Sequence, residues 1–131
     1  MNPTERGEEH IRLCKTKIEL LSTSKSRLEA LTKALATKDF TRYQRLKRWA
    51  VKELGKLKTQ ESRLILIGYA LELQSKYYDE NGKWIGQKGD RLVVYAGEFY
   101  HSIIKILENS GMTVAEVKAT GLRPDKFFIS P

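Results

Sequence analysis

Two long stretches with the hydrophobic period of a helix, separated by four residues, constrain this chain more than anything else in it. In the first, Ile11, Cys14, Ile18, Leu21, Leu28 and Leu35 follow alternating steps of three and four residues. Lys25 and Thr32 fill the two remaining places. Residues so spaced share one face of a helix, which predicts a helix over 5–36 with a coiled-coil-like seam of about four heptads. Polar seam residues and the Ser22-Thr23-Ser24 patch weaken that seam. Ala36-Thr37-Lys38-Asp39 reads as a short connection, with Asp39 or Thr41 as the next N-cap.

The second stretch predicts one helix from Thr41 to Ser75. Placed at about 100° per residue from Arg42, the apolar Leu46, Leu57 and Leu64 fall at roughly 40–60° and Tyr43, Ala50 and Leu54 at roughly 80–120°. Arg45, Arg48, Lys52, Lys56 and Arg63 fall at roughly 240–320°, with Arg42 beside them. One face asks for a core and the opposite face is cationic. From Leu64 to Leu73 the pattern is apolar almost all round, so that part needs cover on every side. Gly55 and Gly68 each cost about 1 kcal/mol relative to Ala in a helix, which points to a close contact or a bend at each.

Beyond Lys76 the pattern changes. Tyr77-Tyr78-Asp79-Glu80-Asn81-Gly82-Lys83-Trp84-Ile85 puts Asn-Gly between aromatic flanks, a strong hairpin signal. It predicts strands at Tyr77–Glu80 and Lys83–Ile85 joined by a type I′ turn. Gly86–Asp90 reads as a link and Arg91–Tyr95 as a third strand. Glu98–Asn109 reads as a helix with Phe99, Ile103, Ile106 and Leu107 inward, closed by Gly111. Thr113-Val114-Ala115-Glu116 is a capping box opening a short helix that Gly121 ends. The expected fold is therefore α+β and predominantly helical, one domain over 1–131. A long antiparallel helical hairpin (1–76) precedes a small α+β part (77–131) with a β-hairpin or three-strand element and two short helices.

The charge is concentrated. Of the net +8, residues 41–63 contribute +6, from eight Lys/Arg against two Asp/Glu. An excess packed into one segment points to a polyanionic partner rather than to solubility alone. Arg42, Arg45, Arg48, Lys52, Lys56 and Arg63 are the expected phosphate contacts, and Trp49, beside them, is placed to stack on a base. Over a continuous helix this row would run about 32 Å, close to one turn of duplex DNA.

Chemistry of other kinds finds little support. Glu98-x-x-His101 lacks the second carboxylate-histidine pair that a dinuclear site requires, and His10 with Cys14 makes two ligands where zinc takes four. There is no Gly-rich phosphate loop, nucleophile elbow or CxxC, so no enzyme, cofactor or metal is expected. The longest apolar run, Leu64–Leu71, falls far short of the roughly 18 residues that cross a bilayer, and no signal peptide is expected. With Cys14 the sole cysteine, the expected compartment is the cytoplasm.

The stretch Lys56-Leu57-Lys58-Thr59-Gln60-Glu61-Ser62-Arg63-Leu64-Ile65-Leu66-Ile67-Gly68-Tyr69-Ala70-Leu71 resembles the core signature of the MobC/TraD-like plasmid mobilization proteins, accessory factors of conjugative relaxosomes. Ser62-Arg63, the aliphatics Ile65, Leu66 and Ile67, and Gly68 carry the likeness, within residues 42–75. One Arg stands before the aliphatic run where relatives often have two, and residues past 76 have no counterpart. The resemblance implies DNA binding near a transfer origin beside a relaxase. Met112–Phe127 also resembles the first helix and turn of a helix-turn-helix; a capped structural helix is the preferred reading, because Val117 stands where a small residue is usual. Two functions are thus expected in order. The first is a DNA-binding accessory factor, homodimeric through its apolar helical faces. The second is an adaptor or inhibitor using the helical hairpin and an aromatic tip of Tyr77, Tyr78 and Trp84.

Overall fold

The computed structural model describes residues 3–21, 23–38, 40–83 and 91–124, and among them it is helical almost throughout. The elements are α1 (Pro3–Glu19), α2 (Ser24–Leu35), α3 (Phe40–Leu57), α4 (Gln60–Tyr77), α5 (Arg91–Asn109) and α6 (Val114–Ala119). They form two compact units, Met1–Leu54 and Gly55–Pro131. The α+β expectation is overturned, because no sheet forms among the described residues.

Each of the two predicted long helices is cut in two, and in each case a hydroxyl makes the cut. Thr23, extended at φ −107° and ψ 146°, caps α2 by accepting from Ser26 N at 3.1 Å. Of the polar patch read as weakening the seam, Thr23 therefore starts a new helix after α1 has ended at Glu19. Ile11 and Ile18 remain buried, but α2 buries Leu31, Ala34 and Leu35 while Leu28 is only half-buried. The second cut falls between Leu57 and Gln60. Thr59 N donates to Ser62 Oγ at 3.2 Å and Ser62 N donates to Thr59 Oγ1 at 3.1 Å, a reciprocal capping box with Ser in place of the usual Glu. Lys58 just before it adopts φ 52°, a left-handed conformation that costs a non-glycine residue about 1–2 kcal/mol.

In the second unit α4 and α5 pack along each other, and α6 docks on α5. Phe99, Tyr100, Ile103, Ile104 and Leu107 are buried, recurring with the helical period back to Ala96. That period continues upstream of the expected helix start at Glu98, so α5 takes in the segment predicted as a third strand. A lone strand would leave its N–H and C=O groups unpaired, whereas a helix satisfies them internally. Tyr69 meets Phe99 edge-on at 6.5 Å between ring centroids. The Tyr100 hydroxyl donates to Gln74 Oε1 at 2.8 Å and accepts from Arg123 N at 2.9 Å, tying the segment after α6 to both long helices.

The Asn81-Gly82 signal gives a turn but no hairpin sheet. Gly82 N donates to Asp79 O at 3.0 Å and Asp79 N donates to Lys83 O at 2.8 Å. Asp79 Oδ1 accepts from both Asn81 N and Lys83 N, so the aspartate organises the loop. Only Gly82 has positive φ, at 82°; Asn81 does not, which rules out the type I′ turn. Tyr77 ends α4 instead of entering a strand, and Tyr78 turns inward against Tyr100 with 4% exposed. Trp84 and Ile85 lie outside the described residues.

The capping box at Thr113 forms as expected, Thr113 N donating to Glu116 Oε1 and Glu116 N to Thr113 Oγ1, each at 3.1 Å. Hydrogen bonds to the Glu116 carboxyl, from the Thr113 backbone first and its side chain second, hold it below its usual value; desolvation opposes them and Arg63 adds a pull downward. A depressed carboxylate contributes stability above its unfolded value, lost as pH falls through the folded one. An NMR titration of the Glu116 carboxyl should give a value under that of ordinary glutamates, and Thr113→Ala should remove only part of that difference, because alanine keeps the backbone N–H that leads it.

The two mid-helix glycines separate on contact. A Cβ at Gly55 would meet Ile106 Cγ2 at 3.0 Å, whereas one at Gly68 would meet nothing within 4 Å. Gly68→Ala should therefore stabilise the protein by about 1 kcal/mol in urea denaturation. Gly55→Ala should give no such gain, because Ile106 must shift to admit the methyl group.

Candidate nucleic-acid interface

Helix α3 divides sharply into two faces. Leu46, Ala50, Val51 and Leu54 are buried, with Tyr43 half-buried on the same arc. Opposite them, every exposed side chain from Arg42 to Leu57 is a cation: Arg42, Arg45, Arg48, Lys52 and Lys56. Spaced three or four residues apart, they form a row about 21 Å long. Other exposed faces are mixed. On α4 the exposed residues are Gln60, Glu61, Leu64, Gly68, Glu72, Ser75 and Lys76, and on α5 they include Glu98, Lys105 and Glu108. A merely solvated face has that mixed character; the α3 row does not.

An acidic side chain reaches the row from another helix. Arg45 Nη1 lies 3.1 Å from Glu8 Oε1 of α1, with both side chains more than half exposed. Such a pair is worth about 0–1 kcal/mol, so a phosphate can displace it. The Arg42 guanidinium stands 5.5 Å from the Tyr43 ring centroid. Trp49 is half-buried, with the Lys15 ammonium 6.0 Å from its ring centroid.

Arg63 is not part of this row. The break at Lys58-Thr59 places it on α4, so the single 32 Å row expected from a continuous helix does not exist. Half-buried, it directs Nη2 toward the Ser110 carbonyl at 3.4 Å, at the C-terminal end of α5. A cation there complements the helix dipole and its unsatisfied carbonyls.

Lys47 counts toward the basic segment but faces the other way. It is 3% exposed, and its Nζ donates to Leu35 O at 2.5 Å and Thr37 O at 2.7 Å. It closes the carbonyl end of α2 and ties it to α3. The sequence carried a signal for this: on the helical wheel Lys47 falls at about 140°, next to the apolar arc and away from the other cations.

Among the described residues no group of three or more His, Cys, Asp or Glu is placed to hold a metal ion. The Cys14 Sγ and His10 Nε2 are 3.8 Å apart, and His10 packs edge-on against Tyr43. No described helix is long and apolar enough to cross a membrane. Val117 of α6 is fully buried, as is Leu122, and the segment where a recognition helix would follow lies outside the described residues. No family model, no curated protein and no solved structure matches the chain.

The two kinds of lysine on α3 should separate in stability measurements. Lys47→Met leaves the Leu35 and Thr37 carbonyls without their charged donor and should cost about 2 kcal/mol in chemical denaturation. Lys52→Met, on the exposed face, should change stability by less than about 0.5 kcal/mol.

Proposed function

We propose that this chain is a non-enzymatic nucleic-acid-binding protein that grips phosphates with the exposed face of α3. The observation that carries this reading is that every exposed side chain between Arg42 and Leu57 is Arg or Lys. Such a row neutralises consecutive phosphates and releases their counterions, which favours binding to any sequence at low salt. Arg42, Arg45, Arg48, Lys52 and Lys56 make the contacts. Arg63 acts at a distance by holding the α4–α5 end of the second unit together. The resemblance of residues 56–71 to mobilization proteins supports a narrower assignment, an accessory factor at a plasmid transfer origin beside a relaxase. Homodimerisation belongs to the same proposal, with the exposed Leu64 on α4 as an apolar contact. Of the aromatic tip that the adaptor reading uses, Tyr78 is buried and Tyr77 half-buried, while Trp84 lies outside the described residues.

Arg45→Glu with Lys52→Glu should weaken binding to a short DNA duplex by about a hundred-fold or more at low ionic strength. The far-UV spectrum should not change, since both side chains are exposed. Single neutralisations of Arg42, Arg48 or Lys56 should each lower the slope of log affinity against log salt by about one, alike for all sequences. Wild-type protein that binds neither DNA nor RNA in low salt would remove the nucleic-acid reading and leave an acidic protein as the partner of α3.

A further inference from the structure

Trp49 stands one helical turn from Arg45 and one from Lys52, so its indole borders the cation row. It also forms a wall of a small cavity in the first unit, about 100 Å³ in volume, completed by Ile18, Glu19, Arg27, Leu31 and Glu53. That is room for several waters at about 30 Å³ each but far less than the roughly 300 Å³ of a drug-sized site. A single flat ring is the kind of group that fits.

The lining selects the chemistry of that ring. Ile18, Leu31 and the indole offer apolar and π surface. Arg27 donates through Nη2 to Leu21 O at 3.0 Å, while its buried Nε has no hydrogen-bond partner among the described residues. That Nε is closed to a water-sized probe; as the one cation of the lining, the Arg27 guanidinium still favours an acceptor entering the cavity. Glu19 and Glu53 repel a phosphate but accept from N–H groups. A nucleobase edge offers both an acceptor and a donor, and its face stacks on an aromatic ring. In a duplex those faces are already stacked on neighbouring bases.

We infer that this cavity takes one unstacked base of a single-stranded nucleic acid whose phosphates lie along Arg45 and Lys52. This rests on the phosphate-binding reading of α3 and adds to it a preference for single strands. The indole is the stacking surface, Arg27 the donor to the base edge, and Lys15 keeps the ring between α1 and α3.

The test uses the full chain in a Trp84→Phe background, so that Trp49 is the only fluorophore of its kind. It is titrated with one mixed-sequence DNA oligonucleotide, as single strand and as duplex. Single strand should quench Trp49 and bind more tightly than duplex. Trp49→Ala should lose about ten-fold in single-strand affinity, the stacking of one base, with duplex affinity changed less than about two-fold. Trp49→Phe should keep most of the preference, and unchanged duplex binding shows that both variants are folded. Equal losses on single strand and duplex, or no quenching with binding intact, would overturn the inference and leave the phosphate row standing. If wild type binds neither form, the phosphate reading itself fails and the base site goes with it.

Discussion

Burial of one side of α3 is the constraint on which the rest of the first unit depends. Leu46, Ala50, Val51 and Leu54 are each no more than 4% exposed, and burying side chains of this kind contributes about 1.5–3 kcal/mol for each of the larger ones. With that arc committed inward, a rigid helix leaves the opposite side chains no choice of direction. The cations at Arg42, Arg45, Arg48, Lys52 and Lys56 are therefore displayed together by the same packing that stabilises the helix. No separate interaction is needed to hold the row in place.

Helix termini set where such a face can begin and end. The Thr59–Ser62 box and the left-handed Lys58 stop α3 after Leu57, which limits the row to five side chains and assigns Arg63 to other work. Lys47 performs the complementary task at the end of α2, supplying a charged donor to carbonyls that the helix itself cannot satisfy. Both devices are hydrogen bonds worth about 1–3 kcal/mol each. Their consequence is larger than their energy, because each decides which residues share a surface.

The second unit is built by different means. Its long helices meet through aromatic side chains, Tyr69 on Phe99 and Tyr78 on Tyr100, and through the shared hydrogen bonds of Gln74, Tyr100 and Arg123. A helix such as α4, whose turns from Leu64 to Leu73 are apolar almost all round, cannot choose its inward face from its own pattern. The choice comes from α5, whose Phe99, Tyr100, Ile103 and Leu107 present a single apolar stripe for it to cover. Leu64 is left outside by that choice, at 60% exposed.

The sequence by itself determined the periodic and local features. These are the two faces of α3, the burial of Ile11 and Ile18, the capping box at Thr113 and the absence of any long apolar span. Each of these depends on residues within a few positions of one another, where geometry follows directly from spacing. It also carried the caps at Thr23 and Thr59, but a hydroxyl in the middle of an apolar period is compatible with a continuing helix. Only packing on both sides decides that the chain must break there. The third strand failed for the converse reason. Arg91–Tyr95 had strand-forming residues but no partner to pair with among the described residues, and α5 begins at Arg91 and takes the segment in. Tertiary structure alone brought Ile18, Arg27 and Trp49 around one cavity, since no spacing links residues on three helices. It alone turned Lys47 inward, because the carbonyls that receive it lie ten and twelve residues away on a chain that first had to fold back.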